Sequence, residues 1–162
     1  MSHLDVIGRA EQVDLLDLNL KGVPAKVDTG ADSSSIWASS VQEINDELHC
    51  IFFGPSSPYY TGEVVKISKN FTVTRVANSF GHKELRYKVK LRIRVSGRAV
   101  RATFTLSDRS LKTYPILLGR RLLQGKFLVD VSQGKALTKI EKLKAQRLKK
   151  ELKEMDIPEE IS

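Results

Sequence analysis

Apolar and polar positions alternate most regularly from Leu85 to Val95, where Leu85, Tyr87, Val89, Leu91, Ile93 and Val95 interleave with five basic residues. Period two predicts a strand with one buried face and one face in water, here a strongly positive one. Ser96-Gly97 turns the chain and Ala99 to Leu106 alternates again, which predicts an antiparallel meander. Further upstream, Leu16, Leu18 and Leu20 alternate with polar residues, Lys21-Gly22 offers a two-residue turn, and Val23 to Val27 forms the returning strand. This hairpin would deliver Asp28 at a strand end. Shorter strands are predicted at Leu48 to Phe53, Phe71 to Ala77, Tyr114 to Leu118 and Phe127 to Val131. A short element begins at Ile36 and runs to Val41; its Trp37 is expected to pack near the core. Glu43 to Glu47 reads as a polar loop, and Gly54 to Pro58 as the clearest loop, because proline cannot serve a ladder. Tyr59 to Asn70 carries no readable period. Asn78 to Lys83 interrupts two strand-like runs and is therefore a hairpin tip.

From Ala136 the period changes. Leu137, Ile140, Leu143, Leu148, Leu152 and Met155 recur at mostly helical spacing among Lys, Arg and Glu, predicting an amphipathic helix that ends before Pro158. Its leucines are expected to pack. The chain thus divides into a mainly β domain over residues 1–135 and a basic amphipathic helix and tail over 136–162.

Composition narrows the partners. At 162 residues and 41% hydrophobic, the chain can bury one real core. No apolar run approaches the ~20 residues that cross a membrane as a helix, so no membrane partner is expected. Met1 to Val13 is too polar for a signal peptide. Cys50 is the only cysteine, so no internal disulfide can form and a cytoplasmic location is the default. The net charge of +8 favours an anionic partner. Aromatic residues are sparse and not interleaved with basic ones, which argues against nucleic acid.

Two stretches carry chemistry. In Val27-Asp28-Thr29-Gly30-Ala31-Asp32, a carboxylate sits between an apolar run and a turn of small residues; alone, this is an ordinary strand-to-turn junction. In Pro115-Ile116-Leu117-Leu118-Gly119-Arg120, an apolar strand meets Gly-Arg and a helix start. An aspartic protease needs two carboxylates sharing one proton, one acting as base on water and the other as acid toward the carbonyl oxygen. The chain contains a single Asp-Thr-Gly, and neither Asp108-Arg109 nor Asp130-Val131 has the turn chemistry. If Asp28 is catalytic, its counterpart comes from a second copy, so a homodimer is required. The three histidines are scattered and no His-Glu-x-x-His occurs, so no metal is expected. No Gly-rich Lys-Ser/Thr loop points to ATP, and no cofactor is expected.

Together the two stretches resemble the hallmarks of retropepsin-like aspartic proteases. More narrowly, the chain resembles a bacterial group labelled ATP-dependent zinc proteases, found beside ATP-grasp glutamate ligases. This likeness rests also on Ile7 to Val13, Ser79 to Tyr87 and Thr105 to Arg109. It implies a retropepsin-like closed β-barrel with a flap hairpin and one short helix after Gly119-Arg120. It implies an aspartic endopeptidase with Asp28 catalytic, Thr29 tying the active-site loops across the dimer, Gly30 meeting substrate and Ala31 completing the turn. Asp32 and Arg120 would pair beside the site, and Asn78, Ser79, Phe80, Gly81 and His82 would form the flap. A longer segment than in retroviral proteases separates Asp28 from that tip. The likeness also implies a peptide or protein substrate, and the glutamate-ligase association an acidic, oligoglutamate-tailed one. The zinc label finds no support in the residues. The alternative is a catalytically silent module of the same fold holding an acidic or ribosomal partner.

Overall fold

The structure is a computed structural model that describes residues 3–77, 79–134 and 138–155, with the backbone alone for 138–142 and 144. Three strands open the chain: β1 (Asp5–Ile7), β2 (Ala10–Leu15) and β3 (Leu20–Val27). β4 (Ser34–Ile44), β5 (Glu47–Phe52), β6 (Val65–Ile67) and β7 (Phe71–Ala77) follow. The meander is β8 (Lys83–Val95) and β9 (Arg98–Ser107), succeeded by β10 (Ile116–Leu118), α1 (Arg120–Leu123), β11 (Phe127–Val129) and α2 (Thr138–Met155).

Six strands close a barrel in the order β10, β3, β2, β8, β9, β4, with β4 pairing back onto β10. β10 lies parallel to β3 and antiparallel to β4. The inward positions of these strands, among them Val13, Val23, Ala25, Ile36, Leu91, Ile93, Phe104, Ile116 and Leu118, form one core. Branched side chains suit this interior because they fill the space between pleated strands with few rotamers to lose. β1 and β11 form a separate parallel pair. The expected mainly β barrel, with a short helix after Gly119-Arg120, is what the chain forms.

β8 is longer than the barrel needs. Burial begins at Val89, and residues 83–86 before it are exposed. There β8 pairs with β7, from Phe71↔Val89 to Ala77↔Lys83. The β7–β8 hairpin therefore stands out from the barrel as an arm.

Several expectations need correction. Leu16–Leu18 is a 3-10 turn, not a strand, and Lys21-Gly22 lies inside β3. Asp17 is drawn away from the ladder: its carboxylate accepts the Arg92 backbone N–H and Nε–H, both at 2.8 Å. Asn19 then reverses the chain with φ 54°. The loop expected at Glu43 to Glu47 shrinks to Asn45-Asp46, both at positive φ, so β4 and β5 form a tight hairpin. The unreadable segment contains β6, which extends the sheet beyond β5. In α2, Leu143, Leu148, Leu152 and Met155 are exposed instead of packed. Leu143 does line a shallow cavity with Pro24, Trp37 and Tyr59. The helix positions Ala136, Leu137 and Pro158, and the tip residue Asn78, lie outside the described residues. Among the described residues no helix is long and apolar enough to cross a membrane.

Candidate active site

Parallel pairing of β3 with β10 brings the two chemical stretches together, with Leu118 beside Val27. Asp28 is the first residue beyond β3, and its N–H donates to the Leu118 carbonyl at 2.9 Å. The turn then wraps the carboxylate. The Gly30 N–H donates to Asp28 Oδ1 at 2.9 Å, and the Ala31 N–H to the Asp28 carbonyl at 3.2 Å. Asp28 is half-buried. Thr29 is exposed, and its hydroxyl bonds no group among the described residues.

Gly119 locks this turn from below. Its N–H donates to the buried Ser34 hydroxyl at 2.9 Å. A Cβ at Gly119 would stand 2.5 Å from the Ser33 carbonyl oxygen and 3.0 Å from that of Ala31, so no larger residue fits without moving the Asp28 turn. The next two amides continue the link, Arg120 N–H to the Ala31 carbonyl at 2.8 Å and Arg121 N–H to that of Asp32 at 3.3 Å. Asp32 meets Arg120 at 3.5 Å, and Arg121 more closely at 3.1 Å. These ion pairs are exposed, and their energy is small, roughly 0–1 kcal/mol each. They orient the loop more than they stabilise the fold. Arg121 escaped the sequence reading, as did Ser34, which sits in a run of three serines with nothing to single it out.

Asp28 opens onto a cleft of about 600 Å³ lined by Lys26, Arg109, Lys112, Thr113, Tyr114 and Leu117. Lys26 stands near the end of β3, two residues before Asp28, and both line this cleft. Arg109 is fixed by two hydrogen bonds, Nε to the Tyr114 carbonyl at 3.0 Å and Nη1 to the Ser35 hydroxyl at 3.1 Å. Burial lowers its pKa from the ordinary arginine value, although a guanidinium keeps its proton. Sequence reasoning looked for positive charge on β8 and missed this cleft. The spacing from Lys26 to Asp28 was a readable signal; the loop residues Arg109 and Lys112 gave none.

The expected flap residues Ser79, Phe80, Gly81 and His82 cap the projecting hairpin and are all exposed, Phe80 to 85%. Gly81 takes φ +80°, which the tip requires. Among the described residues, no three His, Cys, Asp or Glu side chains converge as a metal site would need. His49 instead contacts Glu47 at 2.9 Å. Burial pushes the Cys50 thiol up to about 11, so it stays a neutral, weakly nucleophilic thiol at neutral pH.

A family model described as "Retropepsin-like aspartic endopeptidase RimB" matches residues 6–140. Curated relatives carry the name "Probable alpha-L-glutamate ligase". The one from Parasynechococcus marenigrum is 30% identical over 134 residues, covering 80% of this chain and 28% of that protein. The one from Shewanella pealeana is 29% identical over 132 residues, with 80% and 29% covered. The chain thus spans less than a third of the length of these relatives. A solved structure from Legionella pneumophila, of a protein of unknown function, aligns with a TM-score of 0.61 at 25% identity. It covers 80% of this chain and 95% of its own.

Proposed function

The chain belongs to the RimB-like family of retropepsin-like aspartic endopeptidases, and on that footing we propose that it is a homodimeric aspartic endopeptidase with Asp28 as its catalytic residue. The observation that carries this reading is the Asp28 carboxylate itself. It stands at a strand end, half-exposed, held by a backbone N–H and braced by Gly119. One chain holds one such carboxylate, so a second subunit completes the pair about a two-fold axis. One carboxylate then takes a proton from water while the other donates to the carbonyl oxygen of the scissile bond, and the pair returns to its single shared proton when the amine leaves.

In this dimer the Thr29 hydroxyls bridge the two turns, Gly30 receives substrate backbone, and Arg120 and Arg121 hold Asp32 in place. Residues 79–82 close over the substrate and exclude water. The substrate proposed is an acidic, glutamate-extended protein, in keeping with the ligase name of the relatives and the excess of basic residues. The cytoplasm is the proposed compartment. Asp28→Asn is expected to lower kcat by about a thousandfold or more without changing the melting temperature. Unaltered cleavage by the purified variant would refute the assignment.

A second reading is a silent binding module. It draws support from the relatives in which the matching stretch is only 28–29% of a protein named for ligation. A dimer whose two Asp28 carboxylates stay more than ~6 Å apart in every state would favour it, since proton sharing then fails.

A further inference from the structure

We propose that a second cavity, of about 320 Å³ on the outside of the barrel, binds a phosphorylated small molecule through Lys88, Arg101, Arg121 and Lys126. It shares no lining residue with the cleft beside Asp28, and the inference does not depend on whether the protein cuts peptides. The ladder assembles the site. On β9, Arg101, Thr103 and Thr105 alternate with buried Ala102 and Phe104, so they face outward. Lys88 of β8 stands directly opposite Thr105, and Arg92 opposite Arg101. The chain returns to this face after β10, where α1 brings Arg121 and the turn behind it brings Lys126. Ser33 adds a hydroxyl from the segment that follows the Asp28 turn.

Charge separates this cavity from an ordinary solvated face. Four cations line it and no acid does. Lys88 and Lys126 are half-buried, and neither they nor Arg101 makes an ion pair among the described residues. Like charges facing each other across a ladder repel. Asp17 relieves Arg92 at 2.8 Å, which leaves Arg101 opposite without a carboxylate of its own. Arg121 alone has an acid, Asp32 at 3.1 Å, and Arg120 competes for that carboxylate at 3.5 Å. A half-buried cation without a counter-charge is costly, and a bound anion removes that cost. A phosphoryl group brings a charge near −2 and three acceptor oxygens, so it answers several of these donors at once. A lone carboxylate would leave most of them unpaired. The hydroxyls of Ser33, Thr103 and Thr105 can donate to the remaining oxygens. The volume lies at the small end of ligand pockets, which suits a small molecule rather than a polymer.

The probes are pyrophosphate and tricarballylate, a tricarboxylate of similar charge, titrated calorimetrically into the full-length protein at fixed ionic strength. Pyrophosphate is expected to bind more tightly by about tenfold or more. Lys88→Gln/Lys126→Gln should weaken it by about tenfold or more, and Arg101→Gln, at an exposed position, several-fold. Lys90→Gln/Arg94→Gln removes the same charge from exposed positions of β8 that do not line the cavity. That control should change the affinity by less than about twofold. Asp32→Asn frees Arg121 from its carboxylate and should tighten binding several-fold.

Melting temperatures establish that each variant is folded, and if the Lys88/Lys126 variant is not, Arg101→Gln and Asp32→Asn decide the matter. No binding at millimolar pyrophosphate would overturn the site. So would equal affinity for tricarballylate, or equal losses from the cavity pair and the control pair, since either outcome describes a diffuse positive surface. A short single-stranded RNA that binds more tightly than pyrophosphate, and depends on Lys90 and Arg94 as much as on Lys88 and Lys126, would reassign the face to nucleic acid and overturn the small-molecule site.

Discussion

Ser34 and Gly119 set the position of the Asp28 turn through a single buried hydrogen bond. Ser34→Ala leaves the Gly119 N–H unsatisfied away from water, which costs about 1–3 kcal/mol. Chemical denaturation should show that loss, and an unchanged midpoint would mean the contact is dispensable. Cys50 supplies a second test. Its thiol is pushed up from the ordinary 9.0 to about 11 by burial, so the native state favours the neutral form. The stability this contributes is complete below pH 9 and is lost as the pH rises from 9 toward 11. Relative to Cys50→Ala, unfolding at pH 10 should be easier than at pH 8 by about 1 kcal/mol. Equal differences at the two pH values would contradict the burial argument. At this scale the motif residues Asp28, Gly30, Gly119 and Arg120 were readable, because turn geometry demands particular residue types. Arg109 was not, because its place depends on Ser35, which is distant in sequence.

Among the elements, the β7–β8 arm shows what periodicity can and cannot say. Alternation runs unbroken from Leu85 to Val95, yet only the part from Val89 onward buries its apolar face. Leu85 and Val73 are exposed on the arm. A pattern reports that a face is apolar, not what covers it. If the arm is the proposed flap, its apolar tip meets substrate and contributes nothing to the core. Phe80→Ala should then raise KM several-fold while the melting temperature stays put. An unchanged KM would remove Phe80 from the substrate path. The miss at Leu16 to Leu20 has a different cause. Its alternation fits a strand, but the bond from Arg92 to Asp17 pulls the segment into a 3-10 turn, a tertiary choice that local pattern does not encode.

For the whole molecule, hydrophobic pattern alone predicted strands and a meander but not a closed barrel. Closure depends on β10 meeting both β3 and β4, and on β4 lying parallel to β9. These are pairings between segments far apart in sequence, and the likeness to a known family carried them where periodicity could not. The same closure sets Gly119 against the Asp28 turn and leaves each chain with half of the proposed carboxylate pair. Mixing subunits tests that claim most directly. Unaltered and Asp28→Asn chains are unfolded together in equal amounts, refolded as mixed dimers, and assayed for cleavage of an acidic peptide. If each active site needs both aspartates, mixed dimers are dead and activity falls to about one quarter of that of the unaltered protein. Activity near one half would show that each chain works with its own Asp28 alone, and would contradict the shared site.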